Sequence, residues 1–422
     1  MDNTEKILLP KNKGPYFGKL QVQVICEAGS RPIDIAAIKI YNRDDPDTLI
    51  DTLTTDYSGL TKQIDLLAPS LEYSMEPPGE RPYSEYILVV TAQGLKTVII
   101  DGVQIFPESS SRQRVVMPRD TDSDESSKVI VIQPHYLYGS YPLKVYEDEV
   151  KEMPETDNLP PIVVPEFLVV HSGIPSDYKA EDYFVEYRDY IKNVVSSICY
   201  PNWPADTINA IILATLSFAM NRYYTNWYQR QGYTFNITSS PAYDQLWIYG
   251  RNIYDNISVA VDYMFNLFLA RPGILQPILT QSCRGTLTDC TGMLSIWGSK
   301  LLGDTGYDVM FILRFYYGDD LYISYTDEIA SVIYPWQGKE LSNGAIGGNV
   351  NALQKMLDLI ARAYPVIPNL EEDGIFGPVT ERAVKNFQNL VLLPATGIVD
   401  AATWYSMYRT YGQLLNAERK CV

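Results

Sequence analysis

DGIFGPVTERAVKNFQNLVLLPATGIVDAATW, residues 373–404, is the stretch that decides the architecture at the C-terminal end. Asp373-Gly374 reads as a turn, and Pro378 sits where a helix opens, because a first-turn residue needs no amide proton. Ala383, Val384 and Phe387 then recur at helical spacing. Thr396-Gly397 punctuates, and Ala401 to Tyr408 reads as a further helix. Upstream, Val350 to Tyr364 is amphipathic, with Leu353, Met356, Leu357 and Ile360 on one face. Together these segments predict a three-helix unit over residues 342–412.

Working outward from that unit, residues 166–335 read as an α/β domain. Pro204 to Tyr228 predicts a long helix with Ile208, Ile211, Ile212, Phe218 and Ala219 on its apolar face. Further helices are expected near Ile257 to Leu269, Ser299 to Leu301 and Val309 to Tyr316. Strands are expected at Phe167–Val170, Gln245–Tyr249 and Leu321–Ser324. Residues 118–165 carry the acidic runs RDTDSDESS and EDEVKEMPETDNLPP and read as a linker, since such segments bury little apolar surface. Residues 17–117 hold six short Val/Ile/Thr/Tyr-rich runs, KLQVQVIC, IAAIKIYN, TLIDTLTT, KQIDLLA, SEYILVVTA and KTVIIDGVQIF, separated by turn signals such as Asp56–Gly59. That spacing predicts a β-sandwich. The fold class expected is therefore multidomain α+β: N-terminal β-sandwich, central α/β domain, C-terminal three-helix domain.

The totals narrow the function. At 422 residues the chain has room for two or three domains. A net charge of −17 argues against nucleic acid or an anionic membrane as partner, because both repel an acidic surface. No run of about 18 apolar residues exists, so no membrane-spanning helix is expected. The opening MDNTEKILLPKNKG lacks an apolar core, so no secretory signal is expected and synthesis in a cytoplasm is. The chain has five cysteines, of which Cys283 and Cys290 are the only close pair; two free thiols are the favoured reading. The two histidines, His135 and His171, suggest no metal site, and His171 in VVHSG reads as structural. No phosphate-cradling glycine loop or nucleophile elbow is present, and no cofactor is expected. The 33 tyrosines suit wet interfaces and sugar rings, and most are accounted for as half-buried packing.

Leu353-Gln354, Asp373-Gly374-Ile375-Phe376-Gly377, Thr380, Ala383-Val384, Phe387-Gln388, Thr396-Gly397 and Thr403-Trp404 give residues 342–412 a specific resemblance to the peptidoglycan-binding domain family of wall hydrolases. That resemblance implies a wall-binding role for Asp373, Gly374, Phe376, Gly377, Thr380, Phe387, Gln388 and Trp404. The remainder, through VVPEFLVVHSGIPSD, DYIKNVVSS, YPNWP, SFAMNRYYTNWYQRQGYTFNITSSPAYDQ and MLSIWGS, resembles germination-specific spore cortex-lytic enzymes of the SleC type. The middle domain then resembles the SpoIID-type lytic transglycosylase fold. The family implies placement in a spore's cortex or coat region, a zymogen cut by a subtilisin-like protease, and spore-coat or cortex proteins as further partners.

A lytic transglycosylase needs one carboxyl group that first protonates the leaving oxygen and then serves as base. In the family pattern a glutamate lies five residues before the aromatic that starts the long helix. Here the aromatic is Trp203 and the residue five back is Ile198. The family's Ser-Gln-Trp-Gly appears as Ser295-Ile296-Trp297-Gly298. Isoleucine neither gives nor takes a proton. The expectation is a peptidoglycan-binding relative without the usual acid, whose groove of Tyr200, Trp203, Asp244, Gln245, Ser295 and Trp297 still meets glycan. The alternative is an active cortex-lytic transglycosylase using a displaced carboxylate: Asp244, Asp206 or Asp289.

Overall fold

The computed structural model describes residues 15–26, 32–77, 79–120, 127–145, 162–231, 233, 235–286, 290, 292–330, 340–391, 393–400, 403, 404, 406, 407, 410, 411 and 414. The six expected N-terminal strands are present as β1 (Tyr16–Cys26), β2 (Ala37–Asn42), β3 (Asp45–Thr54), β4 (Ile64–Ala68), β5 (Ser84–Thr91) and β6 (Val98–Ile105). Two more were not expected. β7 (Ser110–Met117) pairs in parallel with β1. Its inward positions include Ser111 and Gln113, so the apolar alternation that marks a half-buried strand is missing from its first half. β8 (Lys128–Val131) lies inside the stretch expected as a linker and pairs in parallel with β6.

One sheet runs β3-β2-β5-β6-β8, and a second has β4, β1 and β7. Leu20, Val22 and Val24 of the second sheet and Ile38, Ile40, Leu88, Val90 and Ile100 of the first are all sealed from solvent in one core. After β8 the chain stays packed: Ile132, His135 and Leu137 are buried. His135 Nε2 lies 3.2 Å from the Cys199 carbonyl oxygen, while the Leu137 amide donates to Nδ1 at 3.2 Å. Burial, reinforced by the Arg251 charge, holds this ring well below the usual histidine range, which fits a neutral ring bonded at both nitrogens. Residues 128–145 are thus part of the fold, a correction to the linker reading; residues 146–161 lie outside the described residues.

The middle region begins with β9 (Val164–Pro165), β10 (Phe167–His171) and β11 (Asp182–Glu186), then α1 (Tyr187–Ile198) and α2 (Ala205–Tyr224). α1 was not among the expected helices; Asn193, Ser196 and Ser197 are buried on it beside Tyr190, Ile191, Val194 and Val195. α2 is buried almost all round, as a central core helix must be. Around it follow β12 (Ile237–Thr238), β13 (Ile253–Tyr254), α3 (Asp255–Met264), β14 (Leu267–Ala270), β15 (Ser282–Cys283), β16 (Leu294–Ser295), α4 (Ile296–Asp304), α5 (Val309–Tyr317), β17 (Tyr322–Tyr325) and β18 (Ile329–Ala330). The expected helix to Leu269 stops at Met264, and Leu267–Ala270 pairs with β17 instead. The expected strand at Gln245–Tyr249 is irregular chain. Its Ile248 amide and carbonyl are satisfied by the Asn193 side chain, at 2.9 and 2.8 Å, rather than by a neighbouring strand.

Two features join the halves. β13 of the middle region adds to the sandwich sheet beside β7, and the buried side chains of both regions form one continuous core. The C-terminal unit has its own core, built on α6 (Gly348–Ala363), α7 (Pro378–Leu390) and helical residues around Trp404 and Met407. Arg119 reaches it by donating to the Asn389 carbonyl at 3.0 Å and to that of Leu390.

Candidate functional site

Residues expected to line a glycan groove fall into two separate places. Tyr200, Trp203 and Trp297 do come together: ring centres lie 5.2 Å apart for Tyr200–Trp203 and 4.9 Å for Trp203–Trp297. They are closed over, however. The sandwich supplies Phe106, 5.0 Å from the Tyr200 ring, and Ser74, whose carbonyl accepts from Trp203 Nε1 at 2.8 Å and whose hydroxyl accepts from Asn202 at 2.7 Å. Tyr200, Trp203 and Trp297 are 3%, 4% and 8% exposed, which makes this a packed aromatic cluster between the two regions. Ile198 and Ile296 belong to the same apolar core, at 6% and 0% exposure. Ser295 caps α4, its hydroxyl accepting from the Gly298 amide at 2.9 Å. Asp206 stands exposed in the first turn of α2, where a carboxylate complements the helix dipole.

Asp244 and Gln245 are elsewhere. Asp244 is bonded to Arg222, in the last turn of α2, whereas Trp203 precedes the first turn. At 1.5 Å rise per residue the helix separates those ends by about 28 Å. Asp244 Oδ1 accepts from Arg222 Nε at 2.7 Å. Its Oδ2 accepts from the Tyr228 hydroxyl at 2.5 Å and from the Thr238 amide and hydroxyl at 2.8 and 2.7 Å. Both side chains of the ion pair are fully buried. Gln245 is engaged with the Tyr190 hydroxyl and the Thr215 carbonyl. The expected single groove is therefore corrected: one part is an aromatic plug, the other a buried polar clamp on the end of α2. Asp289 lies outside the described residues. His171 is bonded through Nδ1 to Asp182 at 2.7 Å and stacked on Phe235, which matches a structural role. Cys283 and Cys290, read as free thiols, form a disulfide; the parallel pairing of β15 with β16 folds the chain back and sets their Cα atoms 6.0 Å apart, within bridging range.

The C-terminal unit contains a duplicated construction that the sequence reading missed. In the first copy, Gln354 on α6 donates to Asp373 Oδ1 at 2.7 Å and to the Ile375 carbonyl at 3.0 Å, and accepts from the Gly374 amide at 2.8 Å. In the second, Gln388 on α7 donates to the Ile398 carbonyl at 2.8 Å and the Thr403 hydroxyl at 3.1 Å, and accepts from the Gly397 amide at 2.9 Å. Each copy needs its glycine in the left-handed region, at φ +71° and +75°. The repeat is visible in the chain as an apolar residue, Gln, a loop, then Gly-Ile and a Thr six residues after the glycine: Leu353-Gln354, Gly374-Ile375, Thr380 and Phe387-Gln388, Gly397-Ile398, Thr403.

This assigns the expected wall-binding residues differently. Phe376, Thr380, Phe387, Gln388 and Trp404 are buried and hold the unit together. Gly374 shapes a loop, and Gly377 precedes α7. Asp373 is exposed, but its carboxylate is tied to the Ile375 amide at 2.9 Å and to Gln354, bonds that hold it below the usual aspartate range. Beside exposed Glu371, Glu372, Asp373 and Arg382, the unit offers apolar side chains outward: Ile346 is 77% exposed, Ile375 49% and Val379 45%, with Ile346 and Ile375 paired in an isolated antiparallel bridge.

Residues 347–407 match the family described as "Putative peptidoglycan binding domain". No curated protein matches the chain. Among solved structures, the chain is similar to the SleB N-terminal domain at 28% identity, over 18% of this chain and 99% of that one, with a TM-score of 0.16. It is also similar to GBS52, the minor pilin of Streptococcus agalactiae, at 14% identity over 27% of this chain and 49% of that one, TM-score 0.19. Catechol 1,2-dioxygenase from Pseudomonas arvilla C-1 follows at 14% identity over 28% and 57%, TM-score 0.20. The chain spans less than two thirds of the pilin and dioxygenase structures.

Proposed function

We propose that this protein binds peptidoglycan through residues 347–407 and is a SleC-like wall protein of the spore cortex that lacks the transglycosylase acid. The family match of the C-terminal unit carries the binding half of this reading. Burial of Ile198 and Ile296 in a continuous apolar core supports the other half. Neither isoleucine can give or take a proton. Cutting by a subtilisin-like protease and placement in the cortex or coat region belong to the same reading and rest on the resemblance. The wall-facing surface is the exposed apolar face of Ile346, Ile375 and Val379, since the buried side chains of the matched motif are consumed internally.

Co-sedimentation of the full chain with purified peptidoglycan tests the binding. The chain is expected in the pellet, and Ile375→Asp is expected to reduce binding at least tenfold. Digestion of cortex peptidoglycan, read by mass spectrometry for anhydro-muropeptides, tests the chemistry with Ile198→Glu alongside. No anhydro product is expected from the unmodified protein. Its appearance would overturn the non-catalytic reading in favour of a displaced carboxylate.

A further inference from the structure

A groove of about 1640 Å³ runs between the outer face of the sandwich and the middle region, away from the aromatic plug. One wall carries Arg112 and Arg114, which alternate outward along β7 with buried Ser111 and Gln113, and Lys128 at the start of β8. The rest of the lining holds an aromatic platform together with Glu181, Glu186, Asp189 and Asp255. Tyr183 stacks on Tyr249 with ring centres 4.8 Å apart and packs on Trp247 at 5.2 Å. The Lys128 ammonium lies 5.9 Å from the centre of the Tyr249 ring, so a cation sits at the edge of the aromatic platform. Arg114 is paired with Asp189 at 3.3 Å, whereas Arg112 is exposed and has no ion-pair partner among the described residues. Trp247 and Arg251, 7% and 4% exposed in the groove wall, each keep an N–H with no hydrogen-bond partner.

The chemistry of this lining is specific. Half-buried tyrosine faces accept the C–H face of a sugar ring, and the Tyr249 hydroxyl can meet its polar edge. Among the groove's charges, which include Glu181, Glu186, Asp189 and Asp255, the exposed Arg112 is outside the ion pairs of the described residues and favours a carboxylate as its counter-charge. The volume exceeds the roughly 300–1,000 Å³ of sites for single small molecules, so it suits several linked units. We propose that the groove is a second glycan site. It would take a peptidoglycan fragment with its sugar on Tyr183 and Tyr249 and its stem carboxylates on Arg112 and Lys128. The ligand class rests on the wall-binding reading above; the site itself uses none of the C-terminal unit.

The test is isothermal titration of the full chain with a disaccharide–tetrapeptide muropeptide and with the uncharged N-acetylglucosamine tetramer. The Tyr183→Ala/Tyr249→Ala double variant is expected to lose one site for both probes. Arg112→Glu, at an exposed position that the fold does not need, is expected to weaken that site at least tenfold for the muropeptide and leave the tetramer unchanged. Ile375→Asp is expected to leave the groove site intact while lowering co-sedimentation with whole peptidoglycan. That pair of results separates a failure of the C-terminal reading from a failure of this one. An isotherm missing from the unmodified chain, or unchanged in both groove variants, overturns the proposal.

Discussion

Replacing Asp244 by Asn separates a structural carboxylate from a catalytic one. In the folded protein this carboxylate answers four donors, from Arg222, Tyr228 and Thr238, and the guanidinium it neutralises is fully buried. Asparagine keeps the shape but removes the charge and turns one oxygen into a donor facing other donors. The guanidinium then stays desolvated without its carboxylate, beside the Phe218 and Trp227 rings, each within 5 Å of its centre. Breaking a buried pair from one side costs about 3–5 kcal/mol, most of it the uncompensated charge. For a folded unit of this size that lowers the thermal midpoint by about 6–20 °C, at roughly 2–4 °C per kcal/mol. Differential scanning calorimetry measures it directly. Adding Arg222→Met to the Asn variant should recover a large part of the loss, because the stranded charge goes with it. An Asp244→Asn protein with an unchanged midpoint would refute the reasoning and return Asp244 to the list of candidate acids.

The remaining predictions address other parts of the molecule. Gln388→Ala removes a buried amide that serves the second loop of the C-terminal unit and orphans the Gly397 amide; a loss of about 2–4 kcal/mol is expected, read by urea unfolding of the full chain. Gly397→Ala should cost about 1–2 kcal/mol, since the residue sits at φ +75° and a Cβ there would lie 2.7 Å from Lys385 Cε and 2.8 Å from Glu381 Cγ. Lys144 donates to the Asp244 carbonyl at 2.7 Å, and burial lowers its pKa from 10.5 to about 7 despite the neighbouring Asp244 charge. The unfolded chain binds this proton more tightly, so the penalty is full below pH 7 and is relieved as pH rises from 7 towards 10.5. Stability should therefore gain about 2 kcal/mol between pH 7 and 9, and Lys144→Met should lose that gain; equal slopes in the two proteins would sink the assignment.

Local signals served well where structure is local. The six N-terminal strands, the core of the long helix, α5, α6 and α7 all announce themselves by period, turn residues or a helix-opening proline. The signals failed where a polar side chain takes a backbone's place or faces inward. Asn193 replaces a strand partner for Ile248, and Ser111 and Gln113 occupy the inner face of β7. β8 could not be recognised from its four residues beside acidic runs, because its reason for being a strand is β6, about thirty positions earlier. The Gln-loop-Thr repeat in the C-terminal unit was present in the chain and went unread as a repeat.

The sequence by itself determined that positions 198 and 296 carry side chains that neither give nor take a proton, and that residues 373–404 hold the helical periodicity and turn glycines of a unit that matches a peptidoglycan-binding family. Those are properties of side-chain identity and short spacing, which survive without coordinates. Only the tertiary structure decided which of the flagged residues share a site. A helix about 30 Å long at 1.5 Å per residue puts Trp203 and Arg222 at opposite ends, and Asp244 and its neighbours follow Arg222. It also decided that the aromatic residues are covered by the sandwich, and that an unassigned groove with cations facing stacked tyrosines lies elsewhere. Long-range packing sets distance and exposure, and neither is written in the spacing of residues along the chain.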